Sequence, residues 1–237
     1  MINRITQSAR LTGLLELALF IALALGLKEI MDPFFWRYSG PVSLITTIIL
    51  ITLYIRARHQ SWSSMGLRAL PGVKAKLLVI PQALLVFASV LAVMVSLTKG
   101  LDAIGITILS DPIAGEQERW GDISGNLEQY LILLGISWIS AGFAEEMFFR
   151  GFVLTRLTTI FGSAKPALAF SVFLAAAFFG FVHFYYQGLA GFINAAVIGL
   201  ILGFWFLIYK RNLWPLIIAH GSMNSLGFTM EYLGFAG

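Results

Sequence analysis

The sequence predicts an all-α membrane protein, a polytopic transmembrane bundle of about seven helices. Hydrophobic residues make up 58% of the 237 residues, and the mean hydropathy is +0.84. Only 12% of the residues are charged, which is about half the share found in soluble domains. The apolar residues come in blocks of about 17–23, and a helix of that length can cross a bilayer. We therefore expect most of the chain to lie in lipid.

Hydrophobic blocks and the polar segments between them define the predicted spans. We find no internal repeat and no separate soluble segment, so residues 1–237 are predicted to form a single integral membrane domain. The approximate spans are Leu11–Leu27, Pro41–Ile55, Leu77–Leu97, a fourth that begins near Leu127, Pro166–Tyr186, Gly191–Tyr209 and Leu213–Tyr232. Candidate chemistry is concentrated in the core over residues 127–226, on the fourth, fifth and seventh spans.

The distribution of basic residues predicts the orientation of the bundle. Arg4 and Arg10 precede the first apolar run, as they would in a signal peptide, but Glu16 interrupts that run. We therefore expect a retained first span. If the N-terminus is cytoplasmic, most of the 16 Lys and Arg residues fall on the cytoplasmic side, as the positive-inside rule requires. This predicts a multi-pass cell-membrane protein with a cytoplasmic N-terminus, and the compact size favours a prokaryotic plasma membrane.

Composition excludes several classes of function. The chain has no cysteine, which excludes disulfides, thiol catalysis and thiolate metal sites. The net charge is +4, but the basic residues lie in short clusters between apolar blocks, a pattern typical of membrane topology. We therefore expect no nucleic-acid partner and a setting in membrane lipid, while the oligomeric state stays open.

Two polar features of the N-terminal half have structural interpretations. Glu16 is isolated in the first span, where a hydrogen-bonded structural carboxylate is favoured over a functional one. The long polar connection Thr98–Gly125 is predicted to be a solvated loop or an interfacial helix, with a lid over an outward opening as the alternative.

The stretch AGFAEEMFFRG, residues Ala141–Gly151, places three ionisable groups in an apolar span. An ionisable residue within a transmembrane helix indicates a functional site, because lipid makes an unpaired charge costly. Glu146 and Arg150 are four positions apart and share a helical face, so they can form an ion pair. Glu145 is rotated by about 100° from Glu146. We therefore expect one carboxylate to have a structural partner and its neighbour to be available for chemistry.

Two of the three histidines lie in apolar spans that follow this stretch. His183 stands four positions after Phe179 in FFGFVHF, and His220 stands four positions before Asn224 in IAHGSMN. Taken singly, each has a structural interpretation as a hydrogen-bonding residue between helices. Their joint occurrence with two adjacent carboxylates is what a water-activating site in a helical bundle needs.

Such a site has a definable division of roles. A partly desolvated carboxylate is a competent general base for water, and Glu145 could fill that role. His183 could help to hold the water and move a proton. His220 and Asn224 could donate hydrogen bonds to a developing oxyanion.

These motifs resemble those of the CAAX-prenyl-protease and bacteriocin-processing family of intramembrane endopeptidases, also called the CPBP or Abi family. The motifs stand here as EEMFFR, FGFVH and HGSMN, in that order, and NLWPLIIAH leads into the last of them. The resemblance implies a membrane-embedded helical bundle that hydrolyses peptide bonds of a peptide or protein substrate. It assigns the catalytic roles to Glu145, His183, His220 and Asn224, and supporting roles to Glu146, Arg150 and Phe179.

The same residues leave room for other mechanisms and functions. The resemblance implies a glutamate-activated water with no cofactor, whereas a zinc-dependent version would take Glu145, His183 and His220 as ligands. However, the HExxH spacing of zinc proteases is absent from the sequence. A non-proteolytic immunity or scaffold protein of the same fold is a second alternative. A transporter or proton-coupled channel is a third, although it would usually show repeat symmetry.

Overall fold

The computed structural model describes residues 2–111 and 113–235, which form helices and connecting segments without a strand. The all-α prediction is therefore confirmed for this part of the chain. Met1 and Gly237, the predicted ends of the single domain, lie outside the described residues, so those limits stay a prediction. The elements are α1 (Ile2–Ala57), a 3₁₀ turn (Trp62–Met65), α2 (Gly72–Asp102), α3 (Ala114–Trp120), α4 (Leu127–Ile136), a π-helical segment (Ser137–Leu154), α5 (Thr155–Phe161), α6 (Lys165–Ile208) and α7 (Trp214–Tyr232).

Helix α1 is a hairpin of two antiparallel limbs. Its backbone leaves the helical conformation at Phe35 (φ −156°, ψ 60°), between Pro33 and Pro41. The Tyr54 hydroxyl donates to a Glu16 carboxylate oxygen at 2.7 Å, although the two residues are 38 positions apart. In a straight helix that separation would be about 57 Å. The first two predicted spans, Leu11–Leu27 and Pro41–Ile55, lie within these two limbs, and their crossing of a membrane stays a prediction.

Helix α6 is a second hairpin, and it bends at Gly188. The glycine has φ 59° and ψ −153°, a backbone region open essentially to glycine alone. Small residues let the limbs approach closely: a Cβ at Gly180 would lie 2.6 Å from the Phe192 carbonyl oxygen, and one at Gly203 would lie 2.8 Å from the Val172 side chain. The predicted fifth span, Pro166–Tyr186, lies in the first limb, and the predicted sixth, Gly191–Tyr209, lies in the second apart from Tyr209; that each limb crosses the membrane separately stays a prediction.

Three helices of the described chain are long and apolar enough to cross a membrane: Gly72–Asp102, Leu127–Phe161 and Lys165–Ile208. Large apolar side chains also face outward, including Leu15, Leu77 and Phe181, each more than half exposed. Such apolar surface is expected where a protein meets lipid. These features support the prediction of a membrane protein. The count of seven spans stays a prediction.

A central helix formed by α4, the π-helical segment and α5 positions the candidate site. The π-helical segment is buried along most of its length and packs against α7, α1 and α6. Its aromatic residues fill the contacts: Phe152 meets Phe20 of α1 with ring centroids 5.4 Å apart, and Phe149 meets Phe179 of α6 at 4.8 Å. A helix that is apolar on all sides belongs in the interior of a bundle. Glu145, Glu146 and Arg150 are therefore carried into that interior.

The polar connection after α2 contains the short helix α3, in line with the predicted interfacial helix. Arg119 at the end of α3 is 2% exposed, and its guanidinium lies over the rings of Trp120 and Tyr186, with Cζ 5.0 and 4.5 Å from the centroids. Gln187, beside the Gly188 bend, donates to a Glu116 carboxylate oxygen at 2.5 Å. These contacts fasten the connection to the bend of α6.

Candidate active site

An ion pair in the bundle interior joins Glu146 and Arg150. The Arg150 Nη1 atom donates to Glu146 Oε1 at 2.7 Å, and the two side chains are 0% and 3% exposed. Arg150 Nη2 lies 3.5 Å from the Gly199 carbonyl oxygen, and the Phe179 ring covers the guanidinium with its centroid 4.6 Å from Cζ. The ion pair predicted from the four-residue spacing is therefore present, even though the backbone here has π-helical hydrogen bonding.

His220 is bound to the same carboxylate oxygen. Its Nδ1 atom lies 2.8 Å from Glu146 Oε1. Because Glu146 is paired with Arg150 as a carboxylate, it can only accept, and His220 Nδ1 must be the protonated donor. The contact fixes the tautomer and the orientation of the imidazole ring, as carboxylate–histidine pairs do in other sites. The sequence predicted only that His220 contacts the substrate. Its hydrogen bond to Glu146 is therefore a finding of the structure.

Glu145 differs from Glu146 in burial and in partners. Its side chain is 19% exposed, compared with 0% for Glu146. Glu145 Oε2 lies 3.9 Å from His220 Nε2, which is too long for a hydrogen bond and short enough for a charge interaction or a bridging water. Within the described residues, no hydrogen bond engages the Glu145 carboxylate. The two acids therefore have different surroundings, as predicted.

The Phe179 ring connects the second motif to the other two. His183 Nδ1 lies 2.7 Å from the Phe179 carbonyl oxygen. A carbonyl only accepts, so Nδ1 donates and Nε2 is left as an acceptor in the neutral ring. The Phe179 ring meets the His183 and His220 rings edge to face, with centroids 4.7 and 6.1 Å apart. No direct hydrogen bond between His183 and Glu145 occurs in the described chain, so the role of His183 in holding water stays a prediction.

Asn224 lies one helical turn after His220 on α7 and is partly exposed. Its side chain makes no hydrogen bond with any group in the part of the chain that the structure describes. An amide without an internal partner is available to a substrate, but its predicted oxyanion role has no contact that tests it.

Close approach of two backbones places α7 beside the acidic stretch. A Cβ at Gly142 would lie 3.0 Å from the Ile217 carbonyl oxygen and 3.1 Å from the Gly221 Cα. A Cβ at Gly221 would in turn lie 2.8 Å from the Trp138 ring. The small residues ahead of Glu145 thus allow the close helix packing that brings His220 to the two carboxylates.

The candidate zinc ligands do not form a metal site in this arrangement. Among residues 2–111 and 113–235, no group of three or more His, Cys, Asp and Glu side chains is placed to hold a metal ion. Glu145 and His220 approach one another, but His183 is bound to the Phe179 carbonyl and makes no hydrogen bond or ion pair with either of them in the described chain. We therefore derive no catalytic step through a metal.

Two features of the site escaped sequence reasoning. The Gly199 carbonyl faces Arg150 from the second limb of α6, where the sequence shows only glycines spaced along an apolar run. The bond between His220 and Glu146 joins residues 74 positions apart. No local spacing could have indicated either contact.

Taken together, the fold and the site define an all-helical membrane protein in which an acid–histidine–arginine cluster is buried between helices. Comparison with known families refines that class. Residues 127–226 match the family described as Rce1-like, Type II CAAX prenyl endopeptidase Rce1-like. The matched residues include all three motifs, so the resemblance to the CAAX-protease family is confirmed, and this region is CAAX-protease-like. Neither a curated protein nor a solved structure gives a significant match to the chain.

Proposed function

We propose that the protein is an intramembrane endopeptidase that cleaves a membrane-associated or prenylated peptide substrate with a water activated by Glu145. One observation carries the proposal: His220 is oriented through Nδ1 by the Glu146–Arg150 pair, and its Nε2 faces the unpaired Glu145 carboxylate at 3.9 Å. A structural ion pair would need only Glu146 and Arg150. The additional carboxylate and the oriented imidazole are the parts that hydrolysis requires.

The proposed reaction begins at Glu145. Its carboxylate takes a proton from water while the water oxygen attacks the carbonyl carbon of the scissile peptide bond. The electron pair of the carbonyl moves to oxygen, and the resulting oxyanion accepts hydrogen bonds from His220 and Asn224. The carbon–nitrogen bond then breaks, and the leaving amine takes its proton from Glu145. The products are a carboxylic acid, which keeps the water oxygen and one of its protons, and an amine, which receives the other proton.

The orientation of His220 sets a condition on this mechanism. With Nδ1–H donating to Glu146, a neutral ring has an unprotonated Nε2 that cannot donate to an oxyanion. The oxyanion role therefore requires the imidazolium form, in which both nitrogens carry protons. His183, with Nδ1–H donating to the Phe179 carbonyl, would use Nε2 to accept a hydrogen bond from the attacking water.

We also propose seven spans, with the motifs on the fourth, fifth and seventh, an N-terminus in the cytoplasm and a place in the cell membrane. The hairpins of α1 and α6 support this topology, because each supplies two antiparallel limbs. The bias of basic residues supports the orientation. A prokaryotic plasma membrane and the use of no cofactor stay predictions.

The direct test is hydrolysis by the purified protein in lipid nanodiscs. Fluorogenic peptides with a C-terminal CAAX sequence, prenylated and unprenylated, would be compared with unrelated peptides. We expect cleavage by the wild-type protein and none by Glu145→Gln, which keeps the size of the side chain and removes the base. Glu128→Gln is the matched control, because Glu128 lies on α4 and is exposed.

The outcome separates the alternatives. If Glu145→Gln cleaves at the wild-type rate, the proposed mechanism is wrong. Loss of wild-type cleavage in a chelator, with recovery on addition of zinc, would replace the metal-independent mechanism with a zinc-dependent one. A correctly folded wild-type protein that cleaves nothing in a broad peptide library would favour the scaffold or immunity interpretation.

A further inference from the structure

A second polar site lies away from the Glu145 cluster, at the end of the bundle where α1 begins and α5 lies. It is a cavity of about 530 Å³, a size within the range of small-molecule pockets. Its lining includes Ser8, Thr12, Glu16, Arg58, Gln60 and Arg156. Along the central helix, Arg156 is 11 positions after Glu145, which corresponds to about 16 Å. The cavity is therefore separate from the candidate active site.

The cavity carries a surplus of positive charge. Arg156 forms an ion pair with Glu16, and Arg58 Nη1 lies 3.7 Å from the other oxygen of the same carboxylate. Two guanidinium groups thus share one carboxylate. Arg156 is only 11% exposed, and its buried Nη2 atom has no hydrogen-bond partner among the described residues. A buried donor without an acceptor is unfavourable, and binding of an acceptor removes that cost.

Neutral hydrogen-bond donors complete the lining. Within the described chain, the hydroxyls of Ser8 and Thr12 and the amide of Gln60 have no side-chain hydrogen bonds, and all three line the cavity. Guanidinium, hydroxyl and amide donors around one space are suited to an oxyanion with several acceptor oxygens, such as a phosphate. A carboxylate has two oxygens and would satisfy fewer of these donors.

The surface beside the cavity is apolar. Leu11 and Leu15 are 58% and 61% exposed and lie one position before Thr12 and Glu16, so they form the adjacent stripe of α1. Exposed leucines next to a cationic pocket match a phospholipid, whose acyl chains follow the helix while the headgroup enters the cavity. In the topology proposed above, this end faces the cytoplasmic leaflet, where anionic lipids are found.

We propose that this cavity binds a phosphate-bearing anion, with the guanidinium groups of Arg58 and Arg156 contacting the phosphate oxygens. A phospholipid headgroup and free phosphate share this chemistry, and the exposed leucines favour the lipid. The site is independent of the proposed protease reaction, since none of its residues contacts the Glu145 cluster.

The test uses the full chain in phosphatidylcholine nanodiscs. Retention of dioleoylphosphatidylglycerol would be measured by native mass spectrometry, and inorganic phosphate alone would be assayed by thermal unfolding. We expect the wild-type protein to retain phosphatidylglycerol selectively. Arg58→Gln should bind this lipid about tenfold more weakly, which corresponds to a loss of about 1.4 kcal/mol in binding free energy. Thr12→Val should weaken it less. If inorganic phosphate stabilises the protein and phosphatidylglycerol is not retained, the cavity binds a phosphate-bearing anion as proposed. Its ligand is then a soluble phosphate and not a lipid headgroup.

Arg10→Gln is the matched control, because Arg10 is exposed on the same end of α1 and does not line the cavity. It should leave retention unchanged. Equal losses in Arg10→Gln and Arg58→Gln would indicate general surface attraction and overturn the proposal, as would the failure of both probes to bind. Arg156→Gln is less suitable, because it leaves buried Glu16 with one fewer partner and can prevent folding. Peptide hydrolysis by Arg58→Gln should stay at the wild-type rate.

Discussion

Glu146 and Glu16 are both buried carboxylates that contact an arginine, yet their surroundings differ. Glu146 is fully buried, and one of its oxygens accepts from both Arg150 and His220. Glu16 contacts Arg156, Arg58 and Tyr54 beside an open cavity. Of these two acids, in the part of the chain that the structure describes, Glu146 alone has a neighbouring carboxylate without a hydrogen bond, and Glu146 alone orients a histidine. Buried charge alone therefore does not distinguish the two clusters; the unpaired acid beside an oriented imidazole does, and it is the basis of the proposed catalytic role.

The largest expected difference between the two clusters is in catalysis. Glu145→Gln should lower the rate of peptide hydrolysis by about 10²–10⁴, the usual contribution of a general base. Its stability should stay close to wild type, because Glu145 makes no hydrogen bond in the described chain. Glu16→Gln should hydrolyse normally once folded. Initial rates and thermal unfolding in the same nanodiscs measure both effects, and a comparable loss of rate in the two variants would remove the distinction.

The two ion pairs should also differ in their effect on stability. Glu146→Gln leaves Arg150 buried without a counter-charge, which typically costs about 3–5 kcal/mol. Glu16→Gln should cost less, about 1–3 kcal/mol, because Arg58 is 46% exposed and Arg156, although 11% exposed, lines the same open cavity, through which water can solvate both guanidinium groups. Chemical unfolding in mild detergent measures the free energies. If Glu146→Gln and Glu16→Gln lost the same free energy of unfolding, water would not reach Arg58 and Arg156 through the cavity.

Helix packing provides a smaller test of the same centre. Gly142→Ala adds a methyl group 3.0 Å from the Ile217 carbonyl oxygen, and such overpacking costs about 1–3 kcal/mol. Because α7 must move away, His220 should shift from Glu145 and the rate of hydrolysis should fall about tenfold. Gly135→Ala is the control, since a Cβ there meets nothing within 4 Å. An unchanged rate in Gly142→Ala would mean that the site tolerates displacement of α7.

The smallest expected effect concerns the hydrogen bond between Tyr54 and Glu16. Tyr54→Phe removes one hydroxyl and should cost about 0.5–1.5 kcal/mol without changing the rate of hydrolysis. The same unfolding assay detects the loss. A change in the rate of hydrolysis would show that the Glu16 cluster is coupled to the candidate active site, and it would contradict the independence of the two clusters.

The sequence predicted those parts of the molecule that follow from local patterns. Apolar blocks predicted long apolar helices, three of which are suited to cross a membrane in the described chain, and the four-residue spacing predicted the ion pair of Glu146 and Arg150. The bond between His220 and Glu146 depends on how α7 packs against the central helix, so a single sequence does not indicate it. The π-helical backbone of Ser137–Leu154 does not follow from the sequence, because the spacing of Glu145, Glu146 and Arg150 is equally compatible with a regular α-helix. The position of His183 relative to Glu145 and His220 also depends on how the helices pack against one another, so local spacing in the sequence does not indicate it.

The shared oxygen of Glu146 has a consequence for the order of assembly. During synthesis, the acidic stretch emerges well before α7, the last described helix, which carries His220. Until α7 docks, Glu146 has Arg150 but no imidazole, and Glu145 faces no histidine of α7. A partly synthesised chain would thus hold its acids without the ring that completes the centre. Insertion of α7 would be the step that switches the proposed activity on.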